Sequence, residues 1–401
     1  MGTQASAGSY RAAAKEKFAE LKSVFSTNDT GQKAPFWKLG NSFDTMIDYL
    51  EVIDASSANE VAEMAVTQLE KSLKYIPGGY DGAWFDDFGW WSVATQRALQ
   101  KPFFRTNWPA MKQILDNCWS RYTGNAPFVW ARRESGTFEE YGPAVEGGVW
   151  NAYWSGTSSS YLGPKNGDPK NGRLCGIQNT VTNALYLTVA QRLGAADPAA
   201  RAAAQSEFKF FFTWFKDSTD KALWWKLDDK GEAGLVRERV GRFANTAGPQ
   251  CNHRPCYECT GFQDDWAWTG DQGLMLGALS DAMSLQDPIS RGQCLSWAKQ
   301  LLLGARQRLT ENDVVQSWPT TGCAPDGDTD DYRTGTSAFW RNVLYVWRSN
   351  PDLRALLATG LYSEMVRASA NDAANAPTKG QDLETLTNQC AVLVAATAML
   401  E

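Results

Sequence analysis

Two pairs of adjacent aspartates lie in strongly aromatic parts of this sequence. Asp86-Asp87 lies within YDGAWFDDFGWWSVA, and Asp264-Asp265 lies within GFQDDWAWTGDQGLMLGAL. Two carboxyl groups, one protonated and one ionised, are what glycoside hydrolysis requires of a protein. Both pairs are therefore candidate catalytic carboxylates.

Other catalytic chemistries have little support in the residue types. The sequence contains one histidine, His253, which lies in a cluster of cysteines. This disfavours Ser-His-Asp catalysis, a histidine metal cage and a histidine general base. A third aspartate pair, Asp330-Asp331, lies in an acidic loop and is typical of solvated surface.

The first pair lies between glycines and a predicted helix over residues 88–100. Because adjacent residues on a helix do not face each other, two neighbouring aspartates can share one site where the chain is irregular. At a helix entrance one carboxylate can cap the helix while the other turns across a pocket. The alternative is purely structural, with Asp86 as an N-cap and Asp87 as a favourable acid of the first turn. The surrounding aromatic residues favour a site, because a simple cap gains nothing from Trp84, Phe85, Phe88, Trp90 and Trp91.

Helical periodicity dominates the rest of the chain, and strand-type alternation is almost absent. Asp197-Pro198 and Asp287-Pro288 are typical helix starts. The long aromatic segments 124–176 and 226–262 are typical of ligand-facing loops rather than linkers, so we expect a single domain over residues 1–401. The predicted helices are 8–25, 43–54, 58–74, 88–100, 107–121, 178–193, 199–217, 264–283, 289–309, 335–348, 352–368 and 382–400.

A short internal repeat occurs at the start of two of these predicted helices. Thr182-Asn183 and Thr387-Asn388 each lie at the start of an apolar helix. Helix pairs repeated around a closed ring would produce such sequence repeats.

Composition restricts the partners. The 401 residues carry a net charge of -6 and are 43% hydrophobic, which is enough for a large core. Because no dense Lys/Arg stripe offsets the acidic balance, we expect no nucleic acid partner. We also expect no membrane span, since we find no run of about 18 apolar residues, and we expect a monomer.

The 18 tryptophans and 13 tyrosines suit a sugar-stacking groove, although aromatic residues also fill helical cores.

The eight cysteines favour disulfide bonds and hence a secreted protein. The alternative is a zinc site in the cluster Cys251, His253, Cys256 and Cys259, whose ligand types would suit the metal. That cluster lacks the paired C-x2-C halves of common zinc modules. Disulfides are the favoured interpretation.

Several segments resemble one known family. FDDFGWW resembles the Asp-Asp-x-x-Trp-Trp signature of glycoside hydrolase family 76, the endo-α-1,6-mannanases and their fungal cell-wall relatives. GNSFDTMIDY (40–49) is similar to that family's first inner helix, and EGGVWN (146–151) to its Gly-Gly-x-x-Trp loop. QNTVTNALYL (178–187) and TGDQGLMLGAL (269–279) resemble two further segments of the family, so the likeness covers about residues 40 to 280.

The resemblance implies an all-α (α/α)6 barrel without a metal or organic cofactor. It implies a retaining, endo-acting glycoside hydrolase of α-mannan, with Asp86 as the nucleophile and Asp87 as the general acid/base. Its implied sugar-binding residues, for which ordinary barrel packing is the alternative, are Trp90, Trp91, Trp150, Asn151, Asn179, Asn183, Asp271 and Gln272.

Three departures from the family pattern fall where substrate would be recognised. Gln178 replaces a lysine, Gly270 a tyrosine and Asp271 an asparagine. Losing a cation and gaining a carboxylate indicates an altered subsite, so the linkage or the sugar can differ from plain α-1,6-mannan.

Three other functions remain open from the sequence. A transglycosidase acting on cell-wall mannan or glycan anchors would use the same two aspartates. A noncatalytic glycan-binding barrel would also use an aromatic groove. A polysaccharide lyase would need a tyrosine or histidine base, and the single His253 disfavours it.

Overall fold

The structure is a computed structural model, and it describes residues 7–28, 36–75, 85–125, 148–149, 179–216, 224–226, 231–238, 267–285, 288–319 and 332–400. The α-helices within these ranges are α1 (Ala7–Thr27), α2 (Phe36–Val52), α3 (Ala58–Tyr75), α4 (Phe85–Ala98), α5 (Trp108–Asn125), α6 (Thr180–Leu193), α7 (Pro198–Lys216), α8 (Thr269–Leu285), α9 (Pro288–Arg308), α10 (Gly335–Ser349), α11 (Pro351–Leu357), α12 (Gly360–Asn375) and α13 (Leu383–Leu400). The strands are β1 (Trp224–Lys226), β2 (Gly234–Val236), β3 (Thr310–Glu311) and β4 (Val314–Val315).

Among the described helices, six form a closed inner ring. They are α2, α4, α6, α8, α10 and α13; each packs against the next, and α13 packs against α2. The other long helices lie outside this ring: α3 on α2, α5 on α4, α7 on α6, α9 on α8, and both α1 and α12 on α13. The fold is the predicted all-α (α/α)6 barrel.

The burial patterns of the helices explain which of them lie inside. On the outer helix α1 the buried side chains recur every three or four residues, so one face meets the core: Tyr10, Ala14, Phe18, Leu21 and Phe25. On the inner helix α2 every residue from Phe36 to Leu50 is buried. A helix that is covered on all sides belongs to the interior of a domain.

The inner helices run parallel to one another. Asn41, near the start of α2, donates a hydrogen bond of 3.0 Å to the Ser337 hydroxyl, near the start of α10. Thr182, near the start of α6, contacts Asp86 in the first turn of α4. The first turns of the inner helices therefore meet at one end of the barrel, called here the N-terminal end of the ring.

Two features differ from the sequence prediction. The helix predicted over 352–368 is two helices, α11 and α12, which are separated at Ala358 and by Thr359 in an extended conformation. Two short antiparallel hairpins, β1-β2 and β3-β4, were not predicted. The β3-β4 turn has Asn312 and Asp313 at positive φ angles of 50° and 66°, as a two-residue hairpin turn of type I′ requires.

The expectation of disulfide bonds is wrong for three of the cysteines. Cys118 on α5, Cys294 on α9 and Cys390 on α13 are free thiols, and all three are buried. Their burial within the helix packing makes them small core residues. The other five cysteines lie outside the described residues.

The sequence prediction placed the last helix at 382–400 but did not identify it as long and apolar enough to cross a membrane. Within the described part of the chain, α13 is the one helix long and apolar enough to cross a membrane, with a mean hydropathy of 1.3. Its position in the inner ring accounts for that composition, since it packs against α1, α2, α10 and α12.

Candidate active site

Asp86 and Asp87 lie in the first turn of α4, at the N-terminal end of the ring. The helix begins at Phe85, before the aspartates, so neither residue is the N-cap that the sequence suggested. Backbone N–H groups in a first turn have no partner within the helix, and they stabilise negative charge nearby. Asp86 is partly exposed, whereas Asp87 is 9% exposed. The two carboxyl groups therefore lie in the first turn of the same helix, with Asp87 the more buried of the two.

Thr182 connects the neighbouring helix α6 to Asp86. Its hydroxyl donates a hydrogen bond of 3.4 Å to Asp86 Oδ1. The backbone oxygen of the same threonine accepts a hydrogen bond from the Tyr122 hydroxyl. Burial raises the pKa of Tyr122 well above its ordinary value, and the charge of Asp86 adds to this. The phenol stays protonated and remains a donor to Thr182.

A row of aromatic rings lies next to the aspartates. Trp90 stacks against Trp37 with ring centroids 5.7 Å apart and meets Trp268 edge to face at 6.5 Å. Trp268 in turn meets Tyr332 edge to face at 5.8 Å. We call Trp37, Trp90, Trp268 and Tyr332 the aromatic row. Because Trp90 follows Asp87 by three residues and Asp86 by four, it lies one helical turn below both carboxyl groups.

The position of Trp268 depends on a glycine. A Cβ atom added at Gly270 would lie 2.5 Å from the Trp268 ring, too close for any side chain. The Trp268 indole also donates a hydrogen bond of 2.7 Å to the backbone oxygen of Tyr332. A larger side chain at position 270, such as the tyrosine of the family pattern that the sequence resembles, would therefore displace Trp268.

Charged residues lie at one end of the aromatic row. Lys38 pairs with Glu384 at 2.6 Å and lies over the Trp37 ring, 5.6 Å from its centroid. Arg333 approaches the same carboxylate at 4.0 Å. Burial raises the pKa of Glu384, although Lys38 and Arg333 oppose the shift. The sequence prediction did not include this cluster.

Asn183, which the sequence placed in a sugar subsite, has a structural role. Its side-chain oxygen accepts a hydrogen bond of 2.7 Å from the Val149 N–H. Its amide nitrogen donates to the backbone oxygens of Val149 and Asn179, at 3.1 and 2.6 Å. The side chain is fully buried, and its bonds hold the segment before Trp150 against α6. These bonds are the packing role that the sequence left as the alternative to the predicted sugar contact.

Gln272, on the next inner helix α8, makes the same type of contact with backbone groups. Its side-chain oxygen accepts from the Val236 N–H at 2.8 Å, and its nitrogen donates to the backbone oxygens of Val236 and Trp268 at 2.7 and 3.0 Å. It is fully buried. Gln272 therefore anchors β2 to α8, which is again the packing alternative to the predicted sugar contact.

Trp91 also belongs to the packing of the barrel. It is fully buried, and its indole N–H donates to the backbone oxygen of Phe36 at 2.9 Å. Its ring packs beside those of Phe36 and Phe43. Trp91 thus joins α4 to α2, which is the packing alternative to its predicted sugar contact.

Two predicted residues at the N-terminal end of the ring remain candidates. Asn179 directly precedes α6, and its side-chain oxygen is buried and accepts no hydrogen bond from the described residues. A sugar hydroxyl is the type of donor that this oxygen requires. Asp271 is fully buried in the first turn of α8.

Several predicted residues lie outside the described ranges. These are Trp150, Asn151, both members of the pairs Asp264-Asp265 and Asp330-Asp331, and the cluster of Cys251, His253, Cys256 and Cys259.

Three residues of this region were missed by the sequence reasoning. Trp37 and Lys38 lie just before the segment that resembles the family's first helix, and no motif marks them. Thr182 carried a signal, since it belongs to the repeated Thr-Asn pair.

The sequence matches no protein-family model and no curated protein. Solved structures do share the fold. The GH76A α-1,6-mannanase from Salegentibacter sp. HEL1_6 is 15% identical with a TM-score of 0.64, over 98% of this chain and 100% of that one.

Two further structures support the same architecture. Dfg5 from Chaetomium thermophilum, in complex with glucosamine, is 14% identical with a TM-score of 0.60, over 98% of this chain and 90% of that one. A GH76 α-mannanase from Bacteroides thetaiotaomicron is 12% identical with a TM-score of 0.53, over 97% of this chain and 96% of that one. At these identities the likeness establishes the fold.

Proposed function

We propose that the protein is a retaining, endo-acting glycoside hydrolase that cleaves an α-mannan-type polysaccharide, with α-1,6-mannosidic bonds as the first expected target. The observation that carries this proposal is the position of Asp86 and Asp87. Both lie in the first turn of an inner helix at the N-terminal end of the ring, directly above Trp90.

A related structure supports the choice of this pair. An inactive variant of the Salegentibacter α-1,6-mannanase, with two consecutive aspartates replaced, has been solved in complex with α-1,6-mannotetrose. It is 15% identical to this chain with a TM-score of 0.64. Asp86 and Asp87 are likewise consecutive, and they lie in the same type of barrel.

The proposed mechanism is a double displacement. Asp86 attacks the anomeric carbon while Asp87 protonates the leaving glycosidic oxygen. Asp87 then removes a proton from water, which breaks the glycosyl–Asp86 bond and releases a product of unchanged anomeric configuration. The Thr182 hydroxyl stabilises Asp86 in the ionised form that attack requires.

The end of the aromatic row at Tyr332 supports a carbohydrate substrate, because Tyr332 is partly exposed, whereas Trp37, Trp90 and Trp268 are buried. Sugar rings present apolar C–H faces, which pack favourably on aromatic side chains. Gly270, which stands where the family pattern has a tyrosine, leaves room for the Trp268 ring, so the preferred mannan can differ in branching or linkage from plain α-1,6-mannan.

The test is a panel of α-1,6-mannan, branched yeast-type α-mannan and α-glucans, with products separated by size. We expect oligosaccharides of intermediate length from an α-mannan, and an α-anomer as the first product by proton NMR. Added mannooligosaccharide acceptors distinguish hydrolysis from transglycosylation. Binding of mannan without any product, unchanged in an Asp86→Asn/Asp87→Asn variant, would instead identify a noncatalytic glycan-binding barrel.

A further inference from the structure

Gly89 lies where α4 closely approaches the neighbouring helices α5 and α6. A Cβ atom added at this glycine would lie 3.0 Å from Leu185 Cβ on α6 and 3.0 Å from Tyr122 Cε1 on α5. Non-bonded carbon atoms ordinarily stay about 3.5–4.0 Å apart, so an alanine would push both neighbours away. Because glycine is less favourable than alanine inside a helix, this position needs a reason to lack a side chain, and the close packing supplies it.

This close contact lies one helical turn below the contact between Thr182 and Asp86. Gly89 follows Asp86 by three residues on α4, and Leu185 follows Thr182 by three residues on α6. Residues three apart lie on the same face of a helix. Since α4 and α6 run parallel, the absence of a side chain at Gly89 controls how closely their first turns approach each other.

The hydrogen bond between those first turns is sensitive to this spacing. Thr182 Oγ1 and Asp86 Oδ1 are 3.4 Å apart, which is long for a bond between a hydroxyl and a carboxylate. Hydrogen bonds in an unliganded active site are often long and shorten when substrate binds. A further separation of α4 and α6 by a few tenths of an ångström would break this one.

Tyr122 of α5 contacts both helices at the same level. Its side chain is fully buried, and its hydroxyl donates to the backbone oxygen of Thr182. Its ring meets that of Tyr186 on α6 edge to face at 5.0 Å and lies 6.5 Å from the ring of Phe85, the first residue of α4. Tyr122 thus fixes Thr182 relative to α4 from outside the inner ring.

We propose that Gly89 and Tyr122 are positioning residues of the hydrolase. Gly89 allows α6 to approach α4 closely, and Tyr122 holds the backbone of Thr182, so that the Thr182 hydroxyl reaches the nucleophile Asp86. Both residues are buried and act through Thr182. The catalytic consequence rests on the proposed function, whereas the spacing of the two helices can be measured without any activity.

The first experiment is Gly89→Ala, with steady-state kinetics across pH on the best mannan. We expect kcat to fall about five- to tenfold and the acidic limb of its pH profile to move to higher pH, with KM within about twofold of wild type. In a Thr182→Val background the same change should have little further effect on kcat, because the hydrogen bond is already absent.

Gly194→Ala is the matched control for crowding. A Cβ atom at Gly194 would lie 2.9 Å from the Ala190 carbonyl oxygen and 2.9 Å from Arg201 Cα, which is at least as tight. This glycine directly follows the last turn of α6, about 18 Å along the helix from Thr182. Gly194→Ala should lower stability and leave the pH profile of kcat unchanged.

Tyr122→Phe keeps the ring and removes the hydroxyl, so it decides the question if Gly89→Ala does not fold. We expect the same shift of the acidic limb. Tyr10→Phe is its control, since it removes a hydroxyl bond of 2.8 Å to Asn371 between α1 and α12, far from the aspartates. It should change stability alone.

Crystal structures of wild type and the variants provide the readout that needs no activity. We expect the distance from Thr182 Oγ1 to Asp86 Oδ1 to exceed 3.5 Å in Gly89→Ala. A variant that retains this bond, or one that keeps the wild-type pH profile, would overturn the positioning role. A wild-type protein without turnover on any mannan would contradict the proposed function instead, and the crystallographic distance would still decide this inference.

Discussion

Thr182 donates its hydroxyl to Asp86 from the neighbouring inner helix, and it is held there by Tyr122 behind it. The catalytic carboxylate proposed on α4 is thus oriented by a residue of α6. This relationship allows the roles of catalytic and positioning residues to be tested separately.

The first prediction concerns the two aspartates themselves. Asp86→Asn and Asp87→Asn should each lower turnover on the best mannan by about three or more powers of ten, because one removes the nucleophile and the other the proton donor. Turnover is measured by reducing-end release. Asp116→Asn, an exposed acid of α5 paired with Lys112, should leave it unchanged. More than about a tenth of the wild-type rate in either variant would contradict the assignment.

The second prediction concerns Thr182. Thr182→Val removes the hydrogen bond to Asp86 and should lower kcat about five- to tenfold while moving the acidic limb of the pH profile to higher pH. Thr182→Ser should restore both. The equivalent Thr387→Val in α13, whose hydroxyl bonds within the helix to Leu383, should lower stability without moving the pH profile. A Thr182→Val enzyme with a wild-type pH profile would rule out the positioning role.

The third prediction concerns Gln272. Gln272→Leu leaves the N–H and C=O groups of Val236 without partners in a buried place, and we expect a loss of about 2–4 kcal/mol in the free energy of unfolding. At a temperature where the variant stays folded, KM should remain within about twofold of wild type. Denaturant unfolding and steady-state kinetics measure the two effects. A large rise in KM with normal stability would return Gln272 to a sugar subsite.

The fourth prediction concerns Glu207, a residue of α7 without any solvent exposure. Neither of its carboxyl oxygens makes a hydrogen bond with the described residues, and burial raises its pKa well above the usual value. The folded protein therefore keeps a proton that the unfolded chain releases near pH 4.5. Stability is full below that pH and falls as pH rises towards the folded pKa, by about 1.4 kcal/mol per pH unit for one proton.

Glu207→Gln should remove this contribution to the pH dependence. The variant should match wild type near pH 4 and exceed it near pH 7.5 when unfolding by denaturant is followed across that range. Glu63→Gln, at an exposed position of α3, is the control and should retain the wild-type slope. Identical slopes for Glu207→Gln and wild type would show that Glu207 is ionised in the fold.

The fifth prediction concerns the free thiols. Burial raises the pKa of Cys294 to about 12, and it raises the pKa values of Cys118 and Cys390 as well. The native protein should therefore react very slowly with a thiol reagent at these positions, since the thiolate is the reactive form. Unfolded but unreduced protein should release at least three thiols per chain. Fewer than three would mean that these cysteines form disulfides.

The sequence was sufficient to predict the ring but not the roles of its polar residues. Helical periodicity placed five of the inner helices to within about five residues, because each is a long apolar segment with clear ends. The exception is α2, which begins at Phe36 rather than at the predicted residue 43. The Asp86-Asp87 pair was recognisable because its aromatic setting is local in sequence.

Amide side chains gave no comparable signal. Asn183 and Gln272 have the residue types that bind sugars, and the same types brace backbone groups in a buried segment. Only their partners, Val149 and Val236, distinguish the two uses, and both lie more than 30 positions away in sequence. The repeated Thr-Asn pair was informative in retrospect, since Asn388 likewise bridges the Ser337 N–H and the Arg333 carbonyl.

The closure of the ring by α13 has a consequence for how the chain acquires its fold. The contacts that close it join residues far apart in sequence, for example Ser42 and Thr387, which are separated by 345 positions. Such pairings carry a large loop-closure cost and make folding slow. During synthesis the sides of α2 and α10 that α13 will cover are exposed until it leaves the ribosome. We expect a nascent chain arrested before residue 383 to bind holdase chaperones, and its release to coincide with the arrival of this helix.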